Sequence, residues 1–581
     1  MSEAIANRRS AKFAARQEKK KKKTAALVIR REKAAKRPLN RFFHHIDRGS
    51  NLGREIASGL LMCMLGVCCI FMNMQLLSRF FMNTDVLSTA EMGESYASFW
   101  FMAMVTAFVG SMLMGLVARL PIIQVSGLGM STVLISTLGL GSGLSYANLL
   151  AVCFVSSAVF TAICAVPFVR NAVIHAIPEC VRKAMPAAVG LLVAFIAIQL
   201  TGLISYTGSA LTVQGTGTVL NVNKLLKVAP TFQTATNVQL GSLFNFAAYN
   251  SAAYKGDSYY PLMQICLIAV ASAFAGYCLL HKTKHPMLYS LLVGTGVYFA
   301  GYLTNVVFYF AKNGALQFEL DSLWARLWMV GSEDAMHLHL PAVLSNLHIG
   351  QLLKEGFDFT AYTEAGGSVP VLMAVGILTN LALLFGQSEA VLAAEASDNE
   401  KSNGRALLCC GIANLVAPVL GQPMSGISCI SAAGKRDGGR SGIAAIVAAL
   451  GFLASAFVWL FPFIFATTTS YNIQFNMYGH YGVVLAMLAD NSFLVVDAVM
   501  VLIGLAMASD TMKHDWTNGS GLVPMMATVG TTLALSNPAI GLAAGCAAHL
   551  LVSIFDRERK LTIGNIVAAT GAAALIVLTI L

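Results

Sequence analysis

Charged side chains are scarce in this sequence. Only 12% of its 581 residues are Asp, Glu, Lys or Arg, and the mean hydropathy is +0.67. A soluble globular chain carries about 25% charged residues, so this composition excludes an ordinary soluble protein. Apolar runs of about twenty residues recur along the chain, which is the length that crosses a bilayer as a helix. The sequence therefore predicts an all-α polytopic membrane protein.

Several chemical signatures are also missing. No Walker A loop is present, which argues against ATP as an energy source. The sequence also has no combination of a nucleophile and a base that would indicate an enzyme. The twelve cysteines lie mostly inside apolar runs, where Cys is a small packing residue. Their spacing implies neither a metal site nor a disulfide framework, and no cofactor is expected. No cleavable signal peptide is visible, because the first long apolar run begins only after the first fifty residues.

The basic charge is concentrated at the N-terminus. Residues 1–54 hold 17 Lys and Arg against 4 Asp and Glu, whereas the rest of the chain has a net charge of −2. We interpret this arm as a cytoplasmic tail near anionic lipid headgroups. It lacks interleaved aromatic residues, so nucleic acid is not an expected partner.

The distribution of Lys and Arg among the loops predicts the topology. About fourteen candidate spans can be read from the sequence, and the basic loops alternate as the positive-inside rule requires. We expect a multi-pass protein of the plasma (inner) membrane with a cytoplasmic N-terminus. The expected organisation is a basic arm (1–54), core segments 1–4 with the first gate helix (55–204), an extracytoplasmic insert (205–260), gate segments 6–7 (261–311), a second extracytoplasmic insert (312–367), core segments 8–11 (368–467), gate segments 12–14 (468–556) and a C-terminal hydrophobic helix (557–581).

Two apolar segments are interrupted in the same way. One contains "LPIIQVSGLGMSTVL" and the other "GQPMSGISCISAAG"; each has a proline, then a Ser-Gly pair, then small residues. Each is third in its half of the chain, which is the pattern of an inverted repeat with broken helices. Non-helical backbone at membrane depth is either buried in protein or lines a cavity. The pair predicts a solute site; the alternative is that the glycines only permit close helix packing. The candidate binding residues are Ser126, Gly127, Gly129, Gln422, Ser425, Gly426 and Ser428.

An acid, Glu389, lies in the apolar stretch "LLFGQSEAVLAAEASD". Acids inside the membrane are costly and usually face a cavity, so Glu389 is a candidate for solute binding or proton coupling. The alternative is an acid near the cytoplasmic mouth that pairs with a loop base. By position, Gln387 and Ser388 join the candidate binding residues, whereas Glu395 is expected to be structural.

A second candidate for proton coupling is Asp497, within "FLVVDAVMVLIG". Its neighbours are all apolar, and an ion pair within the gate is the equally weighted alternative. Asn73 and Asn380 also lie within apolar segments, and we interpret both as structural.

Five stretches resemble the nucleobase–cation symporter 2 family, in its adenine/guanine/hypoxanthine permease branch. They are "RFFHHIDRGSNLGREIASGL", "LPIIQVSGLGMST", "AIPECVRKAMPAAVGLLVAFIAIQLTGL", "SAAGKRDGGRSGIAAIVAAL" and "HDWTNGSGLVPMMATVG". The resemblance implies fourteen segments in two inverted repeats of seven, with a core domain that moves against a gate domain. It also implies short strands in segments 3 and 10 that face each other beside the solute.

The sequence departs from this family at its usual base-binding acids. Gly386 stands where segment 8 of the family has an Asp, and Ile430 stands where segment 10 has a Glu. We therefore expect a proton- or cation-coupled permease of a small polar solute, with a purine or related nucleobase as the expected solute. An anion transporter or channel-like protein on the same scaffold, and a non-transporting receptor or scaffold, stay open as alternatives. Association into a homodimer is also left open.

Overall fold

The computed structural model is helical over nearly all of the residues that it describes. These are residues 38–81, 89–126, 134, 144–200, 204–208, 211–212, 219–220, 235–240, 270, 273–274, 276–278, 283, 285–294, 352–364, 366–395, 400–457, 497–511, 519–535, 537–555 and 563–580.

The first half of the chain forms α1 (Pro38–Phe43), α2 (Leu52–Phe81), α3 (Thr89–Leu113), a π-helical turn (Met114–Ala118), β1 (Gln124–Val125), α4 (Tyr146–Ala165), α5 (Pro167–Ala176), α6 (Glu179–Leu200), β2 (Ile204–Gly208), β3 (Leu211–Thr212), β4 (Val219–Leu220), β5 (Ala235–Leu240) and α7 (residues 286–294). The second half forms a π-helical turn (Leu352–Gly356), α8 (Thr360–Glu364), α9 (Val369–Glu395), α10 (Glu400–Val419), β6 (Gly426–Ile427), α11 (Ser431–Arg436), α12 (Gly442–Ser455), α13 (Asp497–Thr511), α14 (Gly519–Leu535), α15 (Pro538–Phe555) and α16 (Ile563–Ile580). Three antiparallel pairs join β1 with β6, β2 with β5 and β3 with β4.

Several helices are long and apolar enough to cross a membrane, which makes this a multi-pass membrane protein. Within the described part of the chain these stretches are Leu52–Ile70, Ser98–Ala118, Tyr146–Ala165, Val369–Leu392 and Pro538–Phe555. Shorter apolar helices cover Gly442–Ser455, Val499–Ser509 and Gly521–Leu535. The count of fourteen segments and the inverted repeat stay predictions, because several expected spans lie outside the described residues.

Local sequence explains where individual helices begin and end. Ser145 caps α4 by accepting the backbone N–H of the residue three positions later, at 3.2 Å. Asn537 caps α15 through its side-chain oxygen. Hydrophobicity alone predicts that the fourth candidate span of the sequence runs over residues 147–169, and this is wrong at its end, because the helix stops at Ala165. Val166 is extended, and Pro167 begins α5, where its missing N–H costs nothing.

The helices pack as two sets whose backbones approach closely at glycines. In the first set α2, α3, α4, α10 and α12 pack together; a Cβ on Gly442 would lie 2.1 Å from the carbonyl oxygen of Gly115. In the second set α6 packs on α13; a Cβ on Gly504 would lie 2.2 Å from the carbonyl oxygen of Gly190. The long helix α9 contacts α4 of the first set and both α6 and α15 of the second. We call the first set with α9 the core set, and α6, α13, α14 and α15 the gate set.

Basic loops far apart in sequence meet on one face of the molecule. Arg48 donates from Nη1 to the carbonyl oxygens of Arg119, at 2.9 Å, and Arg440, at 3.1 Å. Ser402 donates to the carbonyl oxygen of Ala118 at 3.3 Å. The positive-inside pattern assigned all of these loops to the cytoplasmic side, and their position on a common face agrees with that assignment. Which side of the membrane this face occupies stays a prediction.

Candidate functional site

The two interrupted segments meet at their breaks. Strands β1 and β6 pair antiparallel, with Gln124 opposite Ile427 and Val125 opposite Gly426. The pairing extends by one bond, in which Ser428 N–H donates to the Ile123 carbonyl at 3.0 Å. The resemblance implied facing strands at the two interrupted segments, and the structure has them. They bring backbone from two distant parts of the chain to one buried point, the β1–β6 crossing.

A polar side chain from the preceding helix holds each strand in place. Ser111 on α3 accepts the N–H of Gln124 at 3.0 Å and donates to its carbonyl at 3.2 Å. Asn414 on α10 accepts the N–H of Ser425 at 2.9 Å and donates to the Cys410 carbonyl at 2.9 Å. Both anchors are fully buried. They satisfy backbone groups that would otherwise be unpaired at membrane depth, which is why a break in the helix is tolerated there.

Several polar side-chain atoms on the paired strands or within a few residues before them have no hydrogen-bond partner within the described structure. They are the amide nitrogen and oxygen of both Gln124 and Gln422, together with the hydroxyl of Ser425. All three side chains are at most 1% exposed. The Gln124 amide lies against α3, because a Cβ on Gly110 would come within 2.8 Å of its oxygen. Unpaired buried polar groups are rare in native structures, so this concentration marks the crossing as the candidate site.

The candidates on α9 and after β6 make local contacts. Gln387 donates from Nε2 to the Ile427 carbonyl at 2.9 Å and so links α9 to β6. Ser388 is buried against the thiol of Cys410, with which it hydrogen-bonds. Ser428 accepts the N–H of Ile430 at 3.3 Å. Gln387 therefore contacts the crossing directly, whereas Ser388 contacts Cys410 and Ser428 contacts the backbone of Ile430.

Asn73 lies closer to the site than its sequence interpretation implied. Its Nδ2 donates to the hydroxyl of Ser126, which directly follows β1, at 2.5 Å. Its Oδ1 is buried without a partner in the described structure. Asn380 instead donates to Ser156 on α4, within the core set. Asn73 is thus part of the crossing, and Asn380 joins two helices.

Glu389 lies on α9 at the boundary with the gate set. It is partly buried, and Arg182 on α6 is close enough to act on it electrostatically. No ion pair of 4.0 Å or less joins these two described side chains. The acid therefore has a basic neighbour across the boundary, without direct contact.

Four of the predicted site positions lie wholly or partly outside the described residues. Gly127 and Gly129 lie outside the described residues, as do the side chains of Glu395 and Asp497. The backbone of Asp497 begins α13, and that of Glu395 ends α9. Within the described part of the chain, no group of three or more His, Cys, Asp and Glu side chains gathers in a way that could hold a metal ion.

Sequence reasoning missed Gln124 and the two anchors. A signal for Gln124 was present, because "QVSG" and "QPMSG" both place a glutamine shortly before Ser-Gly, yet only Gln422 was selected. Ser111 and Asn414 lie inside apolar helices and carry no local pattern. Their role becomes visible only when the strands that they hold are located.

Comparison with known proteins gives partial matches. No protein-family model matches the chain. It is similar to the guanine/hypoxanthine permease PbuG of Bacillus subtilis (strain 168), with 28% identity over 177 residues, which is 30% of this chain and 39% of that permease. Among solved structures it is similar to the transmembrane domain of a cyanobacterium bicarbonate transporter, BicA (TM-score 0.42, 11% identity, 85% of this chain and 97% of that chain).

It is also similar to the murine Slc26a9 anion transporter in the inward-facing state (TM-score 0.38, 10% identity, 86% of this chain and 68% of that chain). The match to the permease spans less than half of that relative's length. All three of these proteins are named as permeases or transporters.

Proposed function

We propose that this chain is a secondary transporter that binds a small polar solute at the β1–β6 crossing and carries it by moving the core set against the gate set. The observation that carries the proposal is the buried, unpaired polar groups of Gln124, Gln422 and Ser425. Each such group costs about 1–3 kcal/mol when it lacks a partner. A solute with hydrogen-bonding edges removes that cost when it binds, which gives both affinity and selectivity.

A purine or related nucleobase is the solute class that fits best. A side-chain amide offers one acceptor oxygen and two N–H donors, and the edge of a purine such as hypoxanthine offers the complementary set. The glycine of β6 lets a flat ring approach the backbone. The permease to which part of the chain is similar is named for guanine and hypoxanthine, so these two bases are the first to test.

An anion is the second candidate, on account of one residue. Ile430 is buried just after β6, at the position where the resembling family has a glutamate. An apolar residue here removes a negative charge that would repel an anion, and the amide nitrogens at the crossing are donors. Bicarbonate is therefore a necessary comparison in any uptake experiment.

Proton coupling is assigned to Glu389, with Asp497 as the reserve candidate. Glu389 lies in segment 8, at the boundary between the core and gate sets, and Arg182 faces it across that boundary. An acid that changes its surroundings when the two sets move can take up a proton on one side and release it on the other. Glu389→Gln should remain folded but lose pH-dependent uptake, whereas Glu395→Gln should behave like wild type. An unchanged pH profile in Glu389→Gln would move the coupling role to Asp497.

The test is uptake by proteoliposomes that contain the purified protein. We expect saturable uptake of radiolabelled hypoxanthine or guanine, with about a tenfold weaker apparent affinity in Gln422→Leu, corresponding to one lost hydrogen bond. Thr532→Val is the matched control, since this buried threonine bonds only within its own helix, to the Thr528 carbonyl. Uptake of bicarbonate but of no base would support the anion transporter. Uptake of neither by folded protein would overturn the proposal in favour of a receptor or scaffold.

A further inference from the structure

A buried acid outside the candidate site connects two distant parts of the chain. Asp437 follows α11, and its two carboxylate oxygens accept the N–H groups of Met287, at 3.0 Å, and Leu288, at 3.1 Å. These N–H groups belong to the first turn of α7, where a helix has no internal acceptors. Asp437 is fully buried. The loop after the second broken segment therefore caps a helix that precedes it by about 150 residues.

The neighbouring base makes a complementary contact. Arg436 directs Nη2 to the carbonyl oxygen of Ala506, at 3.5 Å, near the C-terminal end of α13. An acid thus meets the positive end of one helix and a base lies towards the negative end of another. Helix α13 is part of the gate set, and α7 lies in the stretch 261–311 that the sequence analysis assigns to the gate.

The loop that carries both residues is fixed to the core set. Ser58 on α2 donates to the Gly434 carbonyl at 2.8 Å, and Ser50 donates to the Gly438 carbonyl at 2.8 Å. Arg436 and Asp437 therefore extend from the core to the gate. They do so on the face that carries Arg48 and Arg440, which is the face predicted to be cytoplasmic.

We propose that Arg436 and Asp437 form a core–gate contact that must break during each transport cycle, and that Asp437 makes this contact sensitive to pH. The proposal rests on the proposed function, because it requires that the core moves relative to the gate. The observation that supports the proposal directly is that the Asp437 carboxylate bonds two N–H groups in the first turn of α7. At the same time, the residues on either side of Asp437 are bonded to Ser50 and Ser58.

Glu55 provides a matched control. It is also fully buried and also accepts two consecutive backbone N–H groups, those of Arg440 at 2.9 Å and Ser441 at 3.3 Å. These groups precede α12, and Glu55 itself lies on α2, so both partners belong to the core set. The Glu55 contact need not break when the core moves, whereas the Asp437 contact must.

The direction of the pH effect follows from the burial of Asp437. Burial raises the pKa of Asp437 to about 6, although the two N–H bonds and His285 lower it. His285, just before α7, is the ionisable group that acts on it from the gate; Arg436 reaches away to Ala506, and Arg54 lies against Gly438. A carboxyl released into water returns towards its ordinary pKa of 3.8. The closed contact therefore binds a proton more tightly than the open one, and acidification favours closure.

The test uses thiol labelling at the contact, with no solute present. Met287→Cys replaces a side chain that is 1% exposed, and Leu292→Cys replaces one on the same helix that is 50% exposed. The labelling rate at position 287 divided by the labelling rate at position 292 reports how often the contact opens. Taking this ratio also cancels the intrinsic pH dependence of thiol reactivity. Labelling is quantified at each site by mass spectrometry, so native cysteines do not interfere. We expect this ratio to fall about tenfold between pH 7.5 and pH 5.0.

Variants separate the acid from general effects on the fold. Asp437→Asn should abolish the pH dependence, since an amide binds no proton in this range. Glu55→Gln should lower thermal stability but keep the pH dependence. Asp437→Glu retains a carboxyl and should also keep the pH dependence, so the proposal stays testable if Asp437→Asn does not fold. A ratio that is independent of pH in the wild type, or the same fall in Asp437→Asn, would overturn the proposal. A clear pH dependence in a protein that takes up no solute would uphold the contact and reject the proposed function.

Discussion

The two helix breaks that form the crossing are built alike but satisfied differently. In the first break, Ser111 bonds both backbone groups of Gln124, and Asn73 bonds the hydroxyl of Ser126. In the second, Asn414 bonds the Ser425 N–H and Gln387 bonds the Ile427 carbonyl, but the hydroxyl of Ser425 has no partner in the described structure. The two breaks therefore differ in their serine hydroxyls. That of the first is bonded within the protein, whereas that of the second is free to bond a solute.

The two glutamines differ in their surroundings, although neither amide has a partner in the described structure. Gln124 packs against Gly110 on α3, whereas Gln422 lies in the turn between α10 and β6. Similar sequence at the two breaks therefore does not imply equal roles. Changes in the second break should alter solute affinity, and equivalent changes in the first should mainly alter stability.

The largest effect is expected for Gly426→Val. Gly426 pairs with Val125 in the strand register, and a branched side chain here would occupy the buried space beside the paired backbone. We expect uptake to fall below detection while the protein still inserts and folds. Gly530→Val on α14 is the matched control, because nothing lies within 4 Å of a Cβ built at that glycine. Normal uptake in Gly426→Val would show that the break is only a packing device.

Replacing the anchors Asn414 and Ser111 should affect solute affinity and protein stability to different degrees. Asn414→Leu leaves the Ser425 N–H without its acceptor, at a cost of about 1–3 kcal/mol, and should raise KM for the transported solute about tenfold. Ser111→Ala frees both backbone groups of Gln124, and should lower the thermal unfolding midpoint more than it changes KM. Uptake kinetics and thermal unfolding of both variants check this. Equal changes in KM would contradict the assignment of the two breaks to different roles.

The glutamines should show the same order as the anchors, with an effect on KM of similar size at the second break. Gln422→Leu removes an unpaired amide at the second break and should raise KM about tenfold, the value of one good hydrogen bond. Gln124→Leu should raise KM less, since its amide lies against α3. Measuring both under the same conditions is sufficient, and a larger effect at Gln124 would reverse the interpretation.

The smallest effects are expected when Ser425 or Ser126 is replaced by alanine. The two replacements should change the free energy of unfolding in different directions. Ser425→Ala removes a buried hydroxyl that has no partner, so the free energy of unfolding should stay the same or rise, while KM rises a few-fold. Ser126→Ala leaves the Asn73 amide without its acceptor and should lower the free energy of unfolding without changing KM. Thermal unfolding with and without solute distinguishes the two; identical stability changes would remove the asymmetry.

The sequence was informative about the membrane helices and the two breaks. Apolar runs and basic loops predicted multi-pass helices, because the bilayer imposes a length and a charge bias that can be read residue by residue. The paired "Ser-Gly" breaks predicted non-helical backbone, and β1 and β6 lie there. The exact ends of the helices were harder to predict from the sequence. Pro167 ended one span earlier than hydrophobicity alone indicated, because the residue before a proline avoids helical geometry.

The site residues were less predictable. Gly127, Gly129 and the side chain of Asp497 lie outside the described residues, and the binding role of Ser388, which contacts the thiol of Cys410, stays a prediction. Asn73 was interpreted as structural although it contacts the crossing. Asp437 was not singled out, because "KRD" after an apolar segment is indistinguishable from a hydrated loop. Its function as a cap depends on a helix about 150 residues away, which no local pattern can reveal.

The central claim is that a solute binds at the crossing beside Ser425. The most direct test is the labelling rate of Ser425→Cys by a small thiol reagent, measured with and without saturating hypoxanthine, and compared with Leu292→Cys on α7. The account predicts that hypoxanthine slows labelling at position 425 several-fold and leaves position 292 unchanged. Hypoxanthine that is transported without protecting position 425 would contradict it.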